Sequence, residues 1–128
     1  MNIGTVAKRS GVPAKTIRYY ESVGLIRPAE RGDNGYRTYS ETDVETLRFI
    51  QRARSLGFSV ADVGNLLALW HDRGRASADV KALAQRHVIE IDRKVEELLA
   101  IKRTLLMLMN HCHGDQRPDC PILDTLAG

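Results

Sequence analysis

Apolar residues in the first 70 positions recur at the spacing of short amphipathic helices. Four segments, which begin near residues 3, 13, 41 and 60, carry an apolar residue at every third or fourth position, so that one face of each helix is apolar. Gly11, Gly24 and Gly57 follow the first three segments, as is usual at helix ends. Ser40 and Ser59 precede the last two segments and can cap them. The pattern predicts four short helices.

A β-hairpin is predicted between the second and third helices. Asn34-Gly35 favours a tight type I′ turn, because both central residues of that turn need positive φ. Residues 25–28 precede the turn as the expected first strand, and residues 36–39 alternate as the second strand. The first two helices, joined by a turn that contains glycine, match the helix-turn-helix pattern.

A heptad pattern fills the C-terminal half of the chain. From Ala84 to Cys112 the pattern positions alternate between spacings of four and three, and only Lys102 interrupts their apolar character. Such a seam is typical of a coiled coil. We expect one helix over 78–111, about 50 Å long at the usual rise per residue. Because one small chain cannot cover a helix of that length, the pattern predicts a homodimer.

Charge and composition narrow the functional classes. Residues 1–58 contain ten lysines and arginines against six acidic residues, whereas residues 59–128 contain nine against ten. A basic N-terminal part suits a polyanion-binding head, although ordinary surface charge gives a similar balance. No apolar run is long enough to span a membrane, and no signal peptide is visible. We therefore expect a cytoplasmic protein without a membrane partner, whose cysteines are thiols or metal ligands.

The predicted DNA-binding surface combines basic and aromatic side chains from the second helix, the hairpin and the third helix. Arginine can bind a phosphate or a guanine edge through two hydrogen bonds, and tyrosine hydroxyls can bind phosphates. At least one of the tyrosines at positions 20, 36 and 39 is expected to pack between hairpin and helix instead. The surface comprises Lys15, Arg18, Arg31, Tyr36, Arg37, Tyr39 and Arg54.

Two cysteines are the candidates for sensing chemistry. Cys112 and Cys120 are separated by seven residues, and Pro121 predicts a short terminal helix directly after them. Two thiolates across a loop suit a soft monovalent metal. Zinc prefers four ligands, and His111 and His113 could complete such a set. A buried Cys112 with an incidental Cys120 is also compatible with the sequence. No phosphate-binding loop or nucleophile–base spacing indicates an enzyme.

Together these motifs resemble the MerR family of transcriptional regulators, over essentially the whole chain. The end of the cysteine loop, Asp119-Cys120-Pro121-Ile122, is similar to that of the copper-efflux regulators, the copper-responsive subclass of the family. The family resemblance rests on Arg18-Tyr19-Tyr20-Glu21, Gly24-Leu25, Asn34-Gly35-Tyr36-Arg37-Thr38-Tyr39, Arg54 and Gly57-Phe58.

The resemblance implies a mainly α fold with four parts. A winged helix-turn-helix head at 1–70 binds DNA, and a connecting loop follows at 71–77. A long antiparallel coiled-coil dimerisation helix occupies 78–111. A C-terminal metal-binding loop and a short terminal helix complete the chain at 112–128.

The resemblance also implies the class of metal. Family members that sense divalent zinc, cadmium, lead or mercury carry a cysteine where this chain has Ser77. By resemblance, the chain senses copper(I), silver(I) or gold(I) through Cys112 and Cys120. Ser77 and Lys81 would lie near the metal and offset the negative charge that two thiolates leave on a monovalent ion. Ser77 is also expected to be an ordinary helix N-cap.

The function implied is a dimeric activator that distorts double-stranded promoter DNA for RNA polymerase when metal binds. The histidines on either side of Cys112 depart from the pattern expected of the subclass, which leaves a divalent-metal sensor open. A thiol-redox sensor with a disulfide between Cys112 and Cys120 is a second alternative. A copper-buffering protein that does not act on promoters is a third, and the basic residues Arg18 and Arg37 speak against it.

Overall fold

The computed structural model describes residues 1–33 and 35–128, and within them the chain forms six helices and one hairpin. No described helix is long and apolar enough to cross a membrane. The predicted fold class, mainly helical with a two-stranded wing, is confirmed. In chain order the elements are α1 (Ile3–Ser10), α2 (Ala14–Ser22), β1 (Glu30–Arg31), β2 (Arg37–Thr38), α3 (Glu41–Ser55), α4 (Val60–His71), α5 (Ser77–Asn110) and α6 (Pro121–Ala127).

The chain divides into two compact units, Met1–Val80 and Lys81–Gly128. From here on, the head means this first unit, Met1–Val80, and not the range 1–70 expected from the sequence. Its core is made of aliphatic side chains from α1 to α4 and from the turn between α1 and α2. Burial of each such side chain contributes about 1.5–3 kcal/mol. The fully buried members are Val6, Val12, Ile17, Val44, Leu47, Ile50 and Val63.

Helix ends in the head follow the signals in the sequence. Gly11 has a φ of 77°, and its N–H donates to the carbonyl of Ala7, which closes α1. Ser40 and Asp43 form a capping box at the start of α3. The hydroxyl of Ser59 accepts a hydrogen bond from the backbone N–H at the start of α4, 3.1 Å away. The two serine caps satisfy N–H groups, and the Gly11 cap satisfies a carbonyl, that the helices leave unpaired.

The first strand of the hairpin lies further along the chain than expected. β1 is Glu30–Arg31, so the prediction of a strand at 25–28 is wrong. Residues 25 and 26 instead donate their N–H groups to the carbonyl of Tyr20 at the end of α2. Pro28 has no N–H to donate to a strand ladder. The predicted type I′ turn includes Asn34, which lies outside the described residues.

Helix α5 has 34 residues, which corresponds to a length of about 50 Å. It begins at Ser77 itself, so Ser77 is the first helical residue and not the N-cap that the sequence predicts. Leu83 is the buried residue of this helix. The predicted heptad seam is exposed in the single chain, as at Leu98, which is 66% exposed. A long exposed apolar row of this kind is typical of a surface that a partner covers.

Candidate DNA-binding surface and thiol pair

Helix α2 has one face in the core and one in solvent. Ile17 and Tyr20 are buried, which fixes the rotation of the helix. Lys15, Arg18 and Tyr19 are consequently exposed. The turn between α1 and α2 places α2 as the second helix of a helix-turn-helix, which is the helix that enters the major groove in DNA-binding proteins of this type.

The hairpin concentrates positive charge. Arg31 and Arg37 are direct partners in the strand register, and like charges in that position weaken a strand pair. Each guanidinium has a neighbour that offsets the repulsion. Arg31 donates to the carbonyl of Gly35 at 3.1 Å, and Arg37 donates to Glu21 at 3.1 Å. The two predicted DNA-binding arginines therefore lie side by side on an exposed strand pair.

The tyrosines of the hairpin differ in placement. Tyr36 is 75% exposed, whereas Tyr39 is only 3% exposed. The Tyr39 hydroxyl donates to Glu21, and its backbone N–H donates to the carbonyl of Met1 at 2.8 Å. Burial, together with the neighbouring Glu21 carboxylate, raises the pKa of Tyr39 to about 12. Tyr39 thus supports the hairpin from inside, instead of lying on the predicted DNA-binding surface, because its ring is in the core.

Arg54, the third-helix member of the predicted surface, closes the end of its own helix. Its guanidinium donates to the carbonyl of Phe58 at 2.7 Å, in the turn that follows α3. Arg54 remains exposed as a residue, so its charge still adds to the positive potential of the head.

Two interactions within the head involve residues that are not among the predicted site residues. Glu21 binds both Arg37 and Tyr39. Its position in the last turn of α2 is the signal that could have revealed it, because the helix dipole disfavours an acidic residue there. Arg9 and Glu41 form a two-bond ion pair between α1 and the start of α3. That pairing raises the pKa of Arg9 and lowers the pKa of Glu41.

The second unit contains the thiol pair. Cys112 follows the end of α5, and Cys120 is the N-cap of α6. Pro121 is the first residue of α6, so the predicted terminal helix is confirmed. Both cysteines are free thiols of intermediate exposure.

The histidines beside Cys112 do not assemble a larger ligand set. Nδ1 of His111 lies 2.7 Å from the carbonyl oxygen of Met107, which engages that ring nitrogen locally. Among the described residues, no group of three or more histidine, cysteine or acidic side chains is arranged to hold a metal ion. The soft side chains of the unit are the thiols of Cys112 and Cys120.

Lys81 and the thiols lie at opposite ends of α5. Thirty-one positions separate Lys81 from Cys112, which corresponds to about 45 Å along a helix. Lys81 therefore cannot compensate charge at Cys112 of its own chain.

The chain matches two family models and is similar to named transcriptional regulators. The model described as MerR HTH family regulatory protein matches residues 1–70, and the one described as MerR, DNA binding, matches residues 44–108. The chain is 61% identical to the HTH-type transcriptional regulator HmrR of Rhizobium leguminosarum bv. viciae, over 99% of this chain and 98% of the relative. It is 44% identical to the HTH-type transcriptional regulator CueR of Escherichia coli O157:H7, over 100% of this chain and 95% of the relative.

A solved structure extends the similarity to three dimensions. The crystal structure of the transcription regulator PbrR691 from Ralstonia metallidurans CH34 in complex with lead(II) matches with a TM-score of 0.86. Its sequence is 31% identical, and the match covers 98% of both chains.

Proposed function

This chain belongs to the MerR family of helix-turn-helix regulatory proteins, and from that membership we propose that it is a homodimeric activator of copper(I), silver(I) or gold(I) resistance genes. Regulators of this family are DNA-binding proteins and not enzymes. The observation that supports a monovalent ion is the presence of two half-buried free thiols, Cys112 and Cys120, which suit a soft ion better than zinc. The matching structure of PbrR691 holds lead(II), which supports metal sensing in general.

DNA binding is assigned to the head. Exposed Lys15 and Arg18 on α2 supply charge for the groove and its phosphates. The paired arginines of the hairpin, Arg31 and Arg37, bind the flanking backbone together with the exposed Tyr36. Binding of this kind releases counterions and weakens as salt rises.

Metal binding acts on the segment between the two cysteines. A soft monovalent ion would supply bonds to the sulfur atoms of Cys112 and Cys120, which border residues 113–119. The two thiolates would leave one negative charge, and Lys81 of the partner subunit would offset it in an antiparallel dimer, with the start of α5 at Ser77. Ordering of this segment would favour the DNA-distorting form of the dimer. A coupling free energy of about 1–3 kcal/mol is sufficient for such control.

Transcription in vitro tests the metal assignment. The template is a promoter recovered with the protein from cells by crosslinking, and the reduced protein is supplied with RNA polymerase and copper(I), silver(I) or zinc(II). We expect activation by the two monovalent ions. Cys112→Ser and Cys120→Ser should each abolish the response and leave promoter binding intact, because the thiols lie outside the head. His113→Ala is the matched control and should respond like the wild type.

Two outcomes would redirect the proposal. Activation by zinc equal to that by copper(I), and its loss in His113→Ala, would identify a divalent-metal sensor. Activation by an oxidant without metal, abolished by full reduction, would identify a thiol-redox sensor, for which the two free cysteines are also suited.

A further inference from the structure

Glu21 occupies a position that is unfavourable for a carboxylate. It lies in the last turn of α2, where the carbonyl groups of the helix disfavour negative charge. Its side chain is only 8% exposed, so water compensates little of this cost. A buried carboxylate needs hydrogen-bond donors, and residues that break a local rule in this way often mark functional positions.

The two carboxylate oxygens of Glu21 each have a donor from the hairpin segment. Oε2 accepts from Nη1 of Arg37 at 3.1 Å, and Oε1 accepts from the hydroxyl of Tyr39. Tyr39 is also held through its backbone, since its N–H donates to the carbonyl of Met1. One carboxylate therefore joins α2 to the hairpin at two points.

The Arg37 side chain is held by Glu21 but remains partly exposed to solvent. Its side chain is 42% exposed, so part of the guanidinium remains open to a ligand. Across the strand pair it opposes Arg31, and in the absence of an anion the two positive charges would move apart. The Glu21 carboxylate holds Arg37 against this repulsion.

We propose that Glu21 is a positioning residue for DNA binding, which sets the direction of Arg37 and fixes the hairpin relative to the exposed face of α2. The inference rests on the proposed DNA-binding function. A positioning role and a purely electrostatic role of Glu21 predict opposite changes in DNA affinity. Removing a negative charge close to a DNA phosphate should strengthen binding, whereas losing a positioning residue should weaken it.

The test compares Glu21→Gln with Glu41→Gln. Both changes remove a carboxylate that pairs with an arginine, but Glu41 is exposed and binds Arg9 of α1, which is not a hairpin residue. The probe is a fluorescent duplex that the wild-type protein enriches from a random-sequence pool. We expect Glu21→Gln to bind it on the order of tenfold more weakly, like Arg37→Ala, and Glu41→Gln to bind at least as tightly as the wild type.

A double-mutant cycle identifies the route of the effect. If Glu21 acts through Arg37, Arg37→Ala should cost far less affinity in the Glu21→Gln background than in the wild type. The salt slope of binding should also fall by about one contact in either single variant, since each loses one phosphate contact. Additive losses, or unchanged or tighter binding by a folded Glu21→Gln protein, would overturn the inference.

One further variant and the behaviour of the wild type complete the test. If Glu21→Gln does not fold, Tyr39→Phe removes one of the two hydrogen bonds with a minimal change in shape, and undiminished DNA affinity of that variant would overturn the inference. If the wild-type protein enriches no duplex, the proposed function itself fails. If the wild type binds and Glu21→Gln binds equally well, only the role of Glu21 fails.

Discussion

The head and the unit that follows it differ in where their apolar residues lie. In the head, apolar side chains such as Leu47 and Ile50 are fully buried within the same chain. In residues 81–128, by contrast, Leu83 is the one described residue that is buried, and apolar residues of α5 such as Val95 and Leu98 are exposed. The head completes its own core, whereas α5 requires another surface. We infer that this surface is α5 of a second copy, because the heptad seam is self-complementary.

The largest expected effect is on assembly. Val95→Glu places a charge in the exposed seam, and we expect it to dissociate the dimer at micromolar concentration, since an unpaired charge in an apolar interface is costly. Glu96→Gln, one position away and off the seam, is the control and should remain dimeric. Sedimentation measures the mass. A monomeric mass for the wild-type protein would contradict the inference that α5 is covered by a second copy.

The next effect concerns the source of stability in each unit. Leu47→Ala should lower the free energy of unfolding by about 2–5 kcal/mol, because it leaves a cavity in a closed core. Leu98→Ala should destabilise the protein in a way that depends on protein concentration, since it weakens an intermolecular contact. Thermal unfolding at several protein concentrations distinguishes them. If the loss of stability in Leu98→Ala did not depend on protein concentration, α5 would be covered by its own chain.

A smaller effect is expected on DNA affinity, which should depend on arginines of the head and not on those of α5. Arg18→Ala, on the exposed face of α2, should weaken promoter binding by about 1–3 kcal/mol. The control is Arg93→Ala in α5, where the arginine pairs with Glu90 and Glu97 on the same helix. That variant should bind DNA like the wild type. Fluorescence anisotropy at several salt concentrations measures both, and equal losses would contradict the assignment of DNA binding to the head.

The smallest effect is a pH dependence confined to the head. The pKa of Tyr39 is raised from 10.0 to about 12, so the folded state holds this proton more tightly than the unfolded state. The resulting stability is fully present below pH 10 and is lost as the pH rises from 10 to about 12. Tyr39→Phe should lack this part of the decline. Denaturant unfolding across that range measures it, and parallel curves for both proteins would exclude the effect.

Local signals in the sequence were sufficient for much of the fold. The starts of α3 and α4 were predictable from Ser40 and Ser59, because an N-cap acts on N–H groups two or three residues away. The long helix was predictable because a heptad pattern repeats over many turns. The position of β1 was not, since two-residue strands carry little pattern. Residues 25 and 26 follow the end of α2 instead, through hydrogen bonds to Tyr20.

The residue types along the chain define which side chains can bind DNA and metal, since charge, aromatic character and thiol chemistry belong to the side chains. Their placement depends on how the chain folds. Tyr36 and Tyr39 are three positions apart, yet one is exposed and the other is in the core. Glu21 meets Arg37 and Tyr39 across a separation of 16 and 18 positions. Contacts of this range depend on how the hairpin folds back on α2, and no local pattern of residues encodes that distance.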